Sequence, residues 1–286
     1  MLKKIAIAGA GTMGNGIALA SASSGFEVIL YDNFPGSLDK GKQAIKKNIE
    51  FLLNKEKISR IEAEAIHQRI SYTEKIADCE ADLVIEAIIE KPEAKIKLFH
   101  ELVLINRATT ILASNTSSLS INQIQENIDH PERFAGLHFF NPANLMKLVE
   151  VVKGEKTSES TVDQLTGFCK ALNKVPVVCN DAPGFIVNRV ARHFYLESLR
   201  ILEHQDASAE QIDAVLENAG FKMGPFKLMD LIGMDINYAV SQSLYESLGK
   251  PERLKPSKIQ GDKVAEGKLG RKTGQGFYEY TSQTSA

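Results

Sequence analysis

Short apolar runs separated by longer amphipathic segments make up the first part of the chain. The runs are rich in β-branched residues and alternate little with polar ones, which is typical of strands buried on both faces of a parallel sheet. Helical patterns fill the gaps between runs, one of them around Glu159–Leu172, and complete an α/β pattern. The predicted strands, of which the last two would extend the sheet, are Lys4–Ala8, Glu27–Tyr31, Ile70–Thr73, Leu83–Ala87, Thr110–Ala113, Phe134–Phe139, Leu148–Val152 and Val175–Cys179.

The pattern changes after Pro183 and Gly184, two residues of a kind that interrupts regular structure. From residue 185 to about residue 270, apolar positions follow helical spacing and no run is convincing as a strand. The clearest predicted helices are Ile186–Glu203, Ala209–Ala219 and Asp230–Leu248. A chain of 286 residues is long enough for two domains. We therefore predict an α/β domain over 1–183 and an all-helical domain over 184–286.

One segment of the first domain has room for two helices with no strand between them. In its first half Leu38, Ile45, Ile49 and Leu52 fall on one helical face. Its second half begins with Ser59 and has Glu62 three residues later, which is the signature of a capping box. We predict a helical hairpin over residues 37–69 that stands off the sheet.

The overall composition excludes several classes of partner. The hydrophobic share is 43%, the charged share is 24% and the net charge is −2, so no strong field draws the chain to nucleic acid or to an anionic membrane. No apolar run approaches the roughly 20 residues that cross a bilayer. The three cysteines are odd in number and form no C-x-x-C pair, which favours buried thiols in a reducing compartment. We expect a cytoplasmic protein without a metal site.

A glycine-rich loop follows the first predicted strand and opens a helix, with the spacing G-x-G-x-x-G. The first glycine permits a tight turn, the second lets the backbone approach a pyrophosphate, and the third lets the helix pack close to the strand. The helix N-terminus adds free N–H groups and a positive dipole end. A glycine-rich turn without a ligand is the alternative interpretation. The residues of this loop assigned to the cofactor are Gly9, Gly11, Thr12, Met13 and Gly14.

The second predicted strand ends at Tyr31 and is followed by Asp32. A carboxylate at this position can accept hydrogen bonds from a ribose 2′-hydroxyl and would repel a 2′-phosphate. The unit from Lys4 to Asp32 therefore predicts a Rossmann-type fold that binds NAD rather than NADP.

Four further segments carry polar residues near the expected ends of strands. Ligands of open α/β sheets bind outside the carboxyl ends of the strands, so this placement is typical of a binding site. The segments are Ala113–Leu119, Gly136–Pro142, Met146–Val152 and Asp181–Arg189.

With these segments the chain resembles the 3-hydroxyacyl-CoA dehydrogenase family, which includes 3-hydroxybutyryl-CoA dehydrogenases. The resemblance implies a Rossmann-type domain with a helical hairpin insertion, then an all-α C-terminal domain. It also implies NAD-dependent interconversion of (S)-3-hydroxyacyl-CoA and short-chain 3-oxoacyl-CoA, in fatty acid or butanoate metabolism. The likeness runs nearly from end to end of the sequence. The motifs that carry it are Gly9–Gly14, Ser114–Leu119, His138–Pro142, Lys147–Val152, Pro183–Arg189, Met223–Phe226 and Lys272–Tyr278.

The family's catalytic histidine falls on His138, and its carboxylate partner falls on Glu150. Oxidation of a secondary alcohol needs a base for the hydroxyl proton, and histidine titrates near neutral pH. A nearby carboxylate fixes the imidazole tautomer and stabilises the imidazolium. The resemblance also assigns Ser117 and Asn188 to the substrate, where a hydroxyl and an amide can hold its oxygens. Each residue alone fits a core, capping or surface role; the set, in the family's order, favours catalysis.

The resemblance assigns further residues to the cofactor or the substrate. Glu90, Lys95, Asn115 and Asn141 would line the cleft, although Glu90 and Lys95 also fit the alternative of solvated charges at a helix start. Lys55 at the hairpin matches a lysine that could meet a CoA phosphate, with an ordinary solvated lysine as the alternative.

The chain departs from the family at two places beside the expected cleft. Ala143-Asn144-Leu145 stands where relatives carry proline, and Lys91 follows Glu90 where asparagine is common. These departures bear on chain-length preference and cofactor affinity rather than on the chemistry.

Two other functions share this scaffold: an NAD-dependent dehydrogenase of a free hydroxy or sugar acid, and a non-catalytic NAD-binding protein. As in the family, we expect a homodimer formed by the helical domain, whose apolar helices include Phe194–Ile201 and Leu228–Met234.

Overall fold

The structure is a computed structural model that describes residues 2–280. The end of the expected second domain, residues 281–286, lies outside the described residues. The chain divides after Ala182 into two compact units. The first unit is α/β and the second is helical, as the apolar pattern predicts.

The first unit contains a single mixed sheet, and all eight predicted strands of the described chain lie in it. Their order across the sheet is β3-β2-β1-β4-β5-β6-β7-β8. Observed ends differ from the predicted ones by a residue at several strands. The strands are β1 Lys4–Ala8, β2 Glu27–Tyr31, β3 Ile70–Thr73, β4 Leu83–Glu86, β5 Ile111–Ser114, β6 Phe134–Phe139, β7 Leu148–Lys153 and β8 Val175–Asn180.

Helices cover this sheet and join its parallel strands. The order of strands reverses between β1 and β4, which creates a switch point at the carboxyl ends of these two strands. The glycine-rich loop lies at this switch point, immediately after β1. The helices of the first unit are α1 Thr12–Ser23, α2 Ser37–Asn54, α3 Arg60–Arg69, α4 Pro92–Ile105, α5 Ile121–Gln125 and α6 Glu159–Ala171.

The sheet departs from an all-parallel arrangement at β7. The five pairings within β3-β2-β1-β4-β5-β6 are all parallel. The next pairing, between β6 and β7, is antiparallel. Only residues 140–147 join β6 to β7, and so short a link contains no crossover helix, which a parallel connection requires. The reversal sets His138 directly opposite Glu150. Strand β8 forms an edge of the sheet and is partly exposed, unlike the buried strand that its apolar sequence suggests.

The predicted helical hairpin consists of α2 and α3. The buried face of α2 contains Leu38, Ile45 and Ile49, which join the core beside the sheet. The capping box at α3 is present, because Ser59 accepts a hydrogen bond from the Glu62 N–H while the Glu62 carboxylate accepts one from Ser59 N–H.

The second unit is built from five α-helices within its described residues. Their apolar faces form a core of their own, which includes Leu196, Leu199, Phe226 and Met229. The helices are α7 Val187–Glu203, α8 Ala209–Asn218, α9 Pro225–Ile232, α10 Met234–Ser247 and α11 Lys258–Ala265.

The prediction of one helix over Asp230–Leu248 is wrong. Gly233 has a φ of 106°, a conformation that favours glycine, and it separates α9 from α10. Its N–H ends α9 by donating to Met229 O. The apolar pattern continues across this break because Met229 and Met234, on either side of it, are both fully buried.

The motifs Met223–Phe226 and Lys272–Tyr278 of the second unit each donate backbone hydrogen bonds to a buried aspartate. Asp213 accepts hydrogen bonds from the N–H groups of Phe226 and Lys227, at the start of α9. Asp230 accepts from the N–H groups of Phe277 and Tyr278, and so fixes the last described segment. Within residues 2–280, no helix combines the length and the apolar character needed to cross a bilayer.

Candidate active site

The glycine loop has the shape that a dinucleotide requires. Gly9 has a φ of 113°, and a Cβ on Gly14 would lie 1.7 Å from Gly9 O, so helix α1 packs directly on the turn. A Cβ on Gly11 would meet no atom within 4 Å, so the backbone there borders open space. The residues present therefore fit a pyrophosphate at this loop.

The start of α1 offers backbone donors to an anion. Gly11 is the N-cap residue and provides no side-chain cap, and the first turn of the helix carries no acidic residue. Thr12 is exposed and Met13 is partly buried against the core. The first N–H groups of the helix and its positive dipole end are thus available to a phosphate.

Asp32 lies beside this loop at the end of β2. Its Oδ2 accepts a hydrogen bond from Ala10 N–H at 2.8 Å, and its Oδ1 accepts one from Phe34 N–H at 2.8 Å. These two bonds fix the carboxylate while each oxygen keeps a further lone pair. The position fits an acceptor for ribose hydroxyls.

Three charged residues form a cluster at the end of β4 and the start of α4, and we call it the Glu86–Lys95–Glu90 cluster. Lys95 Nζ lies 2.5 Å from Glu86 Oε1 and 3.0 Å from Glu90 Oε2. Lys95 is 1% exposed and Glu86 is fully buried. The alternative interpretation of Lys95 as a solvated charge at a helix start is therefore wrong.

The pKa values of the two carboxyl groups of this cluster are shifted in opposite directions. Burial raises the pKa of Glu86 above its ordinary value and outweighs the opposing effects of Lys95 and Ser114. Burial also acts to raise the pKa of Glu90, but Lys95 and hydrogen bonds from Thr116 and Ser117 lower it below its ordinary value. Glu90 is therefore ionised at neutral pH.

The cluster holds the loop that carries Ser117. Glu90 Oε1 accepts hydrogen bonds from Thr116 Oγ1 and from Ser117 N–H, the latter at 3.0 Å. Glu86 Oε2 accepts one from Ser114 Oγ at 2.6 Å. Ser117 and the cofactor loop are thus positioned by strand ends that are close in the sheet.

Asn115 connects the same loop to β6. Its Oδ1 accepts a hydrogen bond from Phe139 N–H at 2.9 Å, next to His138 in the sequence. The loop after β5 and the end of β6 are therefore fixed relative to each other, and so are Ser117 and His138.

The antiparallel pairing of β6 and β7 brings His138 and Glu150 together. His138 Nδ1 lies 2.7 Å from Glu150 Oε2, and the two residues are 6% and 1% exposed. A carboxylate without a proton only accepts hydrogen bonds, so a bond to such a Glu150 assigns the donating N–H of the ring to Nδ1. The centroids of the Phe140 ring and the His138 imidazole are 4.4 Å apart.

The remaining assigned residues belong to other segments of the chain. Asn141 is exposed and precedes the cis bond to Pro142. Lys55 is exposed and directly follows α2, as its C-cap residue. Asn188 is the second residue of α7 and belongs to the second unit.

Sequence reasoning missed Glu86 as part of the site. The residue lies within the apolar run Leu83–Ala87, where a charged side chain requires a buried partner. That partner is Lys95, nine residues later on α4. A charged residue inside a buried strand was the signal that pointed to the cluster.

The chain was compared with known proteins. Residues 4–182 match the family model described as the NAD-binding domain of 3-hydroxyacyl-CoA dehydrogenase, and residues 184–280 match the model of its C-terminal domain. The human mitochondrial hydroxyacyl-coenzyme A dehydrogenase is 40% identical over 98% of this chain and 92% of its own length. The 3-hydroxyadipyl-CoA dehydrogenase of Escherichia coli K12 is 44% identical over the whole chain, which spans 60% of that relative's length.

Solved structures agree with this comparison. The (S)-3-hydroxybutyryl-CoA dehydrogenase of Ralstonia eutropha superposes with a TM-score of 0.94 and 35% identity, covering 99% of this chain and 100% of that one. The fold, the NAD-binding domain and the motifs agree with the resemblance found in the sequence. The chain belongs to the 3-hydroxyacyl-CoA dehydrogenase family.

Proposed function

We propose that the chain interconverts short-chain (S)-3-hydroxyacyl-CoA and 3-oxoacyl-CoA, with NAD as the hydride acceptor. The observation that carries the proposal is the buried His138–Glu150 pair, held beside the Ser117 loop in a member of this dehydrogenase family. The relatives are named for 3-hydroxyadipyl-CoA in one case and 3-hydroxybutyryl-CoA in another, so their names favour short acyl chains and differ in the acyl tail.

In the oxidation direction, His138 Nε2 takes the proton of the substrate's C3 hydroxyl as the C3–H bond breaks. Bound NAD supplies the acceptor for the hydride that leaves C3. The carboxylate of Glu150, 2.7 Å from Nδ1, stabilises the imidazolium that results and keeps the ring in one orientation. The same histidine returns the proton when the 3-oxo group is reduced.

Substrate oxygens are held by two further residues in this proposal. Ser117, whose N–H is fixed by Glu90, binds the oxygen on C3, and the Asn188 amide binds the hydroxyl or thioester oxygen. Lys55, exposed at the end of α2, meets a phosphate of CoA.

The cofactor side of the proposal uses the loop and the residues around it. Gly9, Gly11, Thr12, Met13 and Gly14 surround the pyrophosphate, and Asp32 accepts from the ribose. The further residues proposed for the cofactor site are Glu90, Lys95, Asn115 and Asn141.

Changing Asp32 to serine is expected to relax the choice of cofactor. Serine keeps an oxygen that can accept from Phe34 N–H but removes the charge that repels a 2′-phosphate. We expect kcat/KM with NAD to fall roughly 10-fold and the NADP-to-NAD ratio to rise. Steady-state kinetics with both cofactors measure this, with Glu27→Gln at the exposed start of the same strand as the control. An unchanged ratio would refute the assignment of Asp32.

The substrate class is tested by comparing thioester with free acid. We expect NADH oxidation with acetoacetyl-CoA to exceed that with free acetoacetate by at least about 100-fold in kcat/KM, because only the thioester brings the CoA contacts. Equal rates would favour a dehydrogenase of free hydroxy or sugar acids. Tight NADH binding without turnover of any acyl-CoA would favour a non-catalytic NAD-binding protein.

The proposal places the protein in the cytoplasm, in fatty acid or butanoate metabolism. All three cysteines are free, and Cys79 and Cys169 are buried, which suits a reducing compartment. The domains proposed for this function are 1–183 for NAD and 184–286 for dimerisation.

We expect a homodimer through the helical domain. Its apolar helices pack into the domain's own core, yet Val190, Val215, Phe221 and Ile236 remain 67%, 68%, 51% and 52% exposed. A contiguous exposed apolar patch marks an association surface, and these side chains are the ones proposed to contribute to it. Sedimentation equilibrium is expected to give twice the mass of 31.5 kDa, and a monomer at micromolar concentration would contradict the dimer.

A further inference from the structure

An exposed aromatic side chain lies two residues beyond Asp32, just after the carboxyl end of β2. Phe34 is 71% exposed, and its backbone N–H donates to Asp32 Oδ1 at 2.8 Å. A phenylalanine ring in water is stabilised whenever an apolar or aromatic surface covers it, because covering it removes a large apolar area from water. The exposed ring is therefore available to a ligand bound beside Asp32.

The backbone of Phe34 is fixed on both sides. Phe34 is the first residue of a β-turn, in which Ser37 N–H donates to Phe34 O at 3.0 Å. Pro35 and Gly36 are the central residues, and Gly36, with a φ of 76° and a ψ of −3°, has the conformation that the third residue of a type II turn requires. Together with the bond to Asp32, this turn restricts the backbone, so little backbone freedom is lost when a ligand covers the ring.

NAD bound at Asp32 brings its adenine base to the same part of the molecule. The base and the 2′-hydroxyl assigned to Asp32 are attached to adjacent carbons of one ribose, so the base lies close to Asp32 in such a complex. Strands β2 and β4 flank β1 in the sheet, and the segment after β4 also leaves a large apolar side chain, that of Ile89, exposed. The faces of an adenine ring are apolar and aromatic, so the adenine is the part of NAD that suits these side chains.

We propose that Phe34 stacks on the adenine ring of NAD and supplies much of the affinity for the adenosine half of the cofactor. This inference rests on the proposed role of Asp32 and names the residue that binds the neighbouring group. Stacking of a base on an aromatic side chain raises affinity by about 10-fold or more and needs no hydrogen-bond match with the base. The hydride is transferred at the opposite end of the cofactor, so Phe34 contributes to binding and not to the chemical step.

A tryptophan at this position tests the contact directly. The chain has no tryptophan, so Phe34→Trp introduces a single fluorescent reporter. We expect saturating ADP-ribose, which carries the adenine but no nicotinamide, to quench this fluorescence strongly, because a base stacked on the indole quenches it by contact. Phe51→Trp, at a 59% exposed position of α2, is the matched control and should keep its fluorescence. Phe34→Trp fluorescence that does not respond, while ADP-ribose displaces bound NADH, would overturn the inference.

The affinity that the ring supplies is measured with Phe34→Ala. We expect the Kd of NADH, from titration of nicotinamide fluorescence, to rise about 10-fold, and the Kd of reduced nicotinamide mononucleotide, which lacks the adenosine, to stay within about twofold. Phe34→Tyr keeps an aromatic ring and should keep the wild-type affinity for NADH, as should the control Phe51→Ala. An equal rise for both nucleotides would show a displaced cofactor loop, and an unchanged Kd of NADH would show a ring without a ligand. Either result would overturn the inference.

Failure of this inference is distinguishable from failure of the proposed function. If the wild type reduces acetoacetyl-CoA and Phe34→Ala binds NADH as tightly as the wild type does, only the role of Phe34 is refuted. If the wild type binds NADH but reduces no 3-oxoacyl-CoA, the proposed substrate is refuted, and the binding measurements on Phe34 still decide this inference.

Discussion

The variant His138→Gln is expected to lose about 10²–10⁴-fold in kcat, because no other group then exchanges the proton of the C3 hydroxyl. Glutamine is similar in size and retains hydrogen-bonding atoms, so the fold should survive the change. Affinity for NADH, measured by fluorescence titration, should stay within about threefold, since the cofactor loop lies on other strands. His100→Gln, on the exposed surface of α4, is the matched control.

The variant Glu150→Gln separates the hydrogen bond that Glu150 forms with His138 from the charge that Glu150 supplies. It keeps a hydrogen-bonding group at His138 Nδ1 but removes the charge that stabilises the imidazolium. We expect a smaller loss than in His138→Gln, and the double variant should lose little more than His138→Gln alone because the residues act as a unit. Full turnover in His138→Gln would remove the histidine from the mechanism.

The variant Lys95→Met is expected to lose about 3–5 kcal/mol of unfolding free energy. The change leaves the buried carboxylate of Glu86 and the partly exposed carboxylate of Glu90 without their shared counter-charge. Loss of order in the Ser117 loop should follow, because Glu90 fixes that loop. Urea denaturation of the protein without cofactor measures the change, with the exposed Lys97→Met as the control. A loss below about 1 kcal/mol would mean that the cluster contributes little to stability.

The effect of Lys95→Met should depend on pH. In the wild type the pKa of Glu90 is lowered, since Lys95 and its hydrogen bonds outweigh burial, so ionised Glu90 stabilises the fold at neutral pH and this contribution is lost as pH falls through the folded pKa. Without Lys95, the burial that raises the pKa of Glu86 acts without the opposing lysine charge, so protonation of Glu86 relieves the unpaired charge as pH falls. The stability deficit should therefore shrink as pH falls from 8 to about 5. A deficit independent of pH would contradict a charge origin.

The sequence was sufficient for the sheet and the cofactor loop because their signals are local. A buried strand requires a β-branched apolar run, and β1, β2, β3 and β6 begin and end where those runs do. The glycine spacing is likewise dictated by contacts within a few residues, such as Gly14 against Gly9 O. The His138–Glu150 assignment depended on resemblance, since nothing local links these two residues.

The features that sequence did not reveal depend on distant contacts or on chain direction. The antiparallel direction of β7 depends on a link too short for a helix, and only that direction sets Glu150 opposite His138. Burial of Lys95 depends on Glu86 at the end of another element. The break at Gly233 was hidden because both flanking helices face one core.

The central claim is hydride transfer to C3 of a CoA thioester. The most direct measurement is reduction of acetoacetyl-CoA with NADH that carries deuterium at both C4 positions of the nicotinamide, followed by mass spectrometry and NMR of the product. We predict 3-hydroxybutyryl-CoA with one deuterium, located at C3. A product without deuterium at C3, or no product from any short-chain 3-oxoacyl-CoA, would contradict the claim.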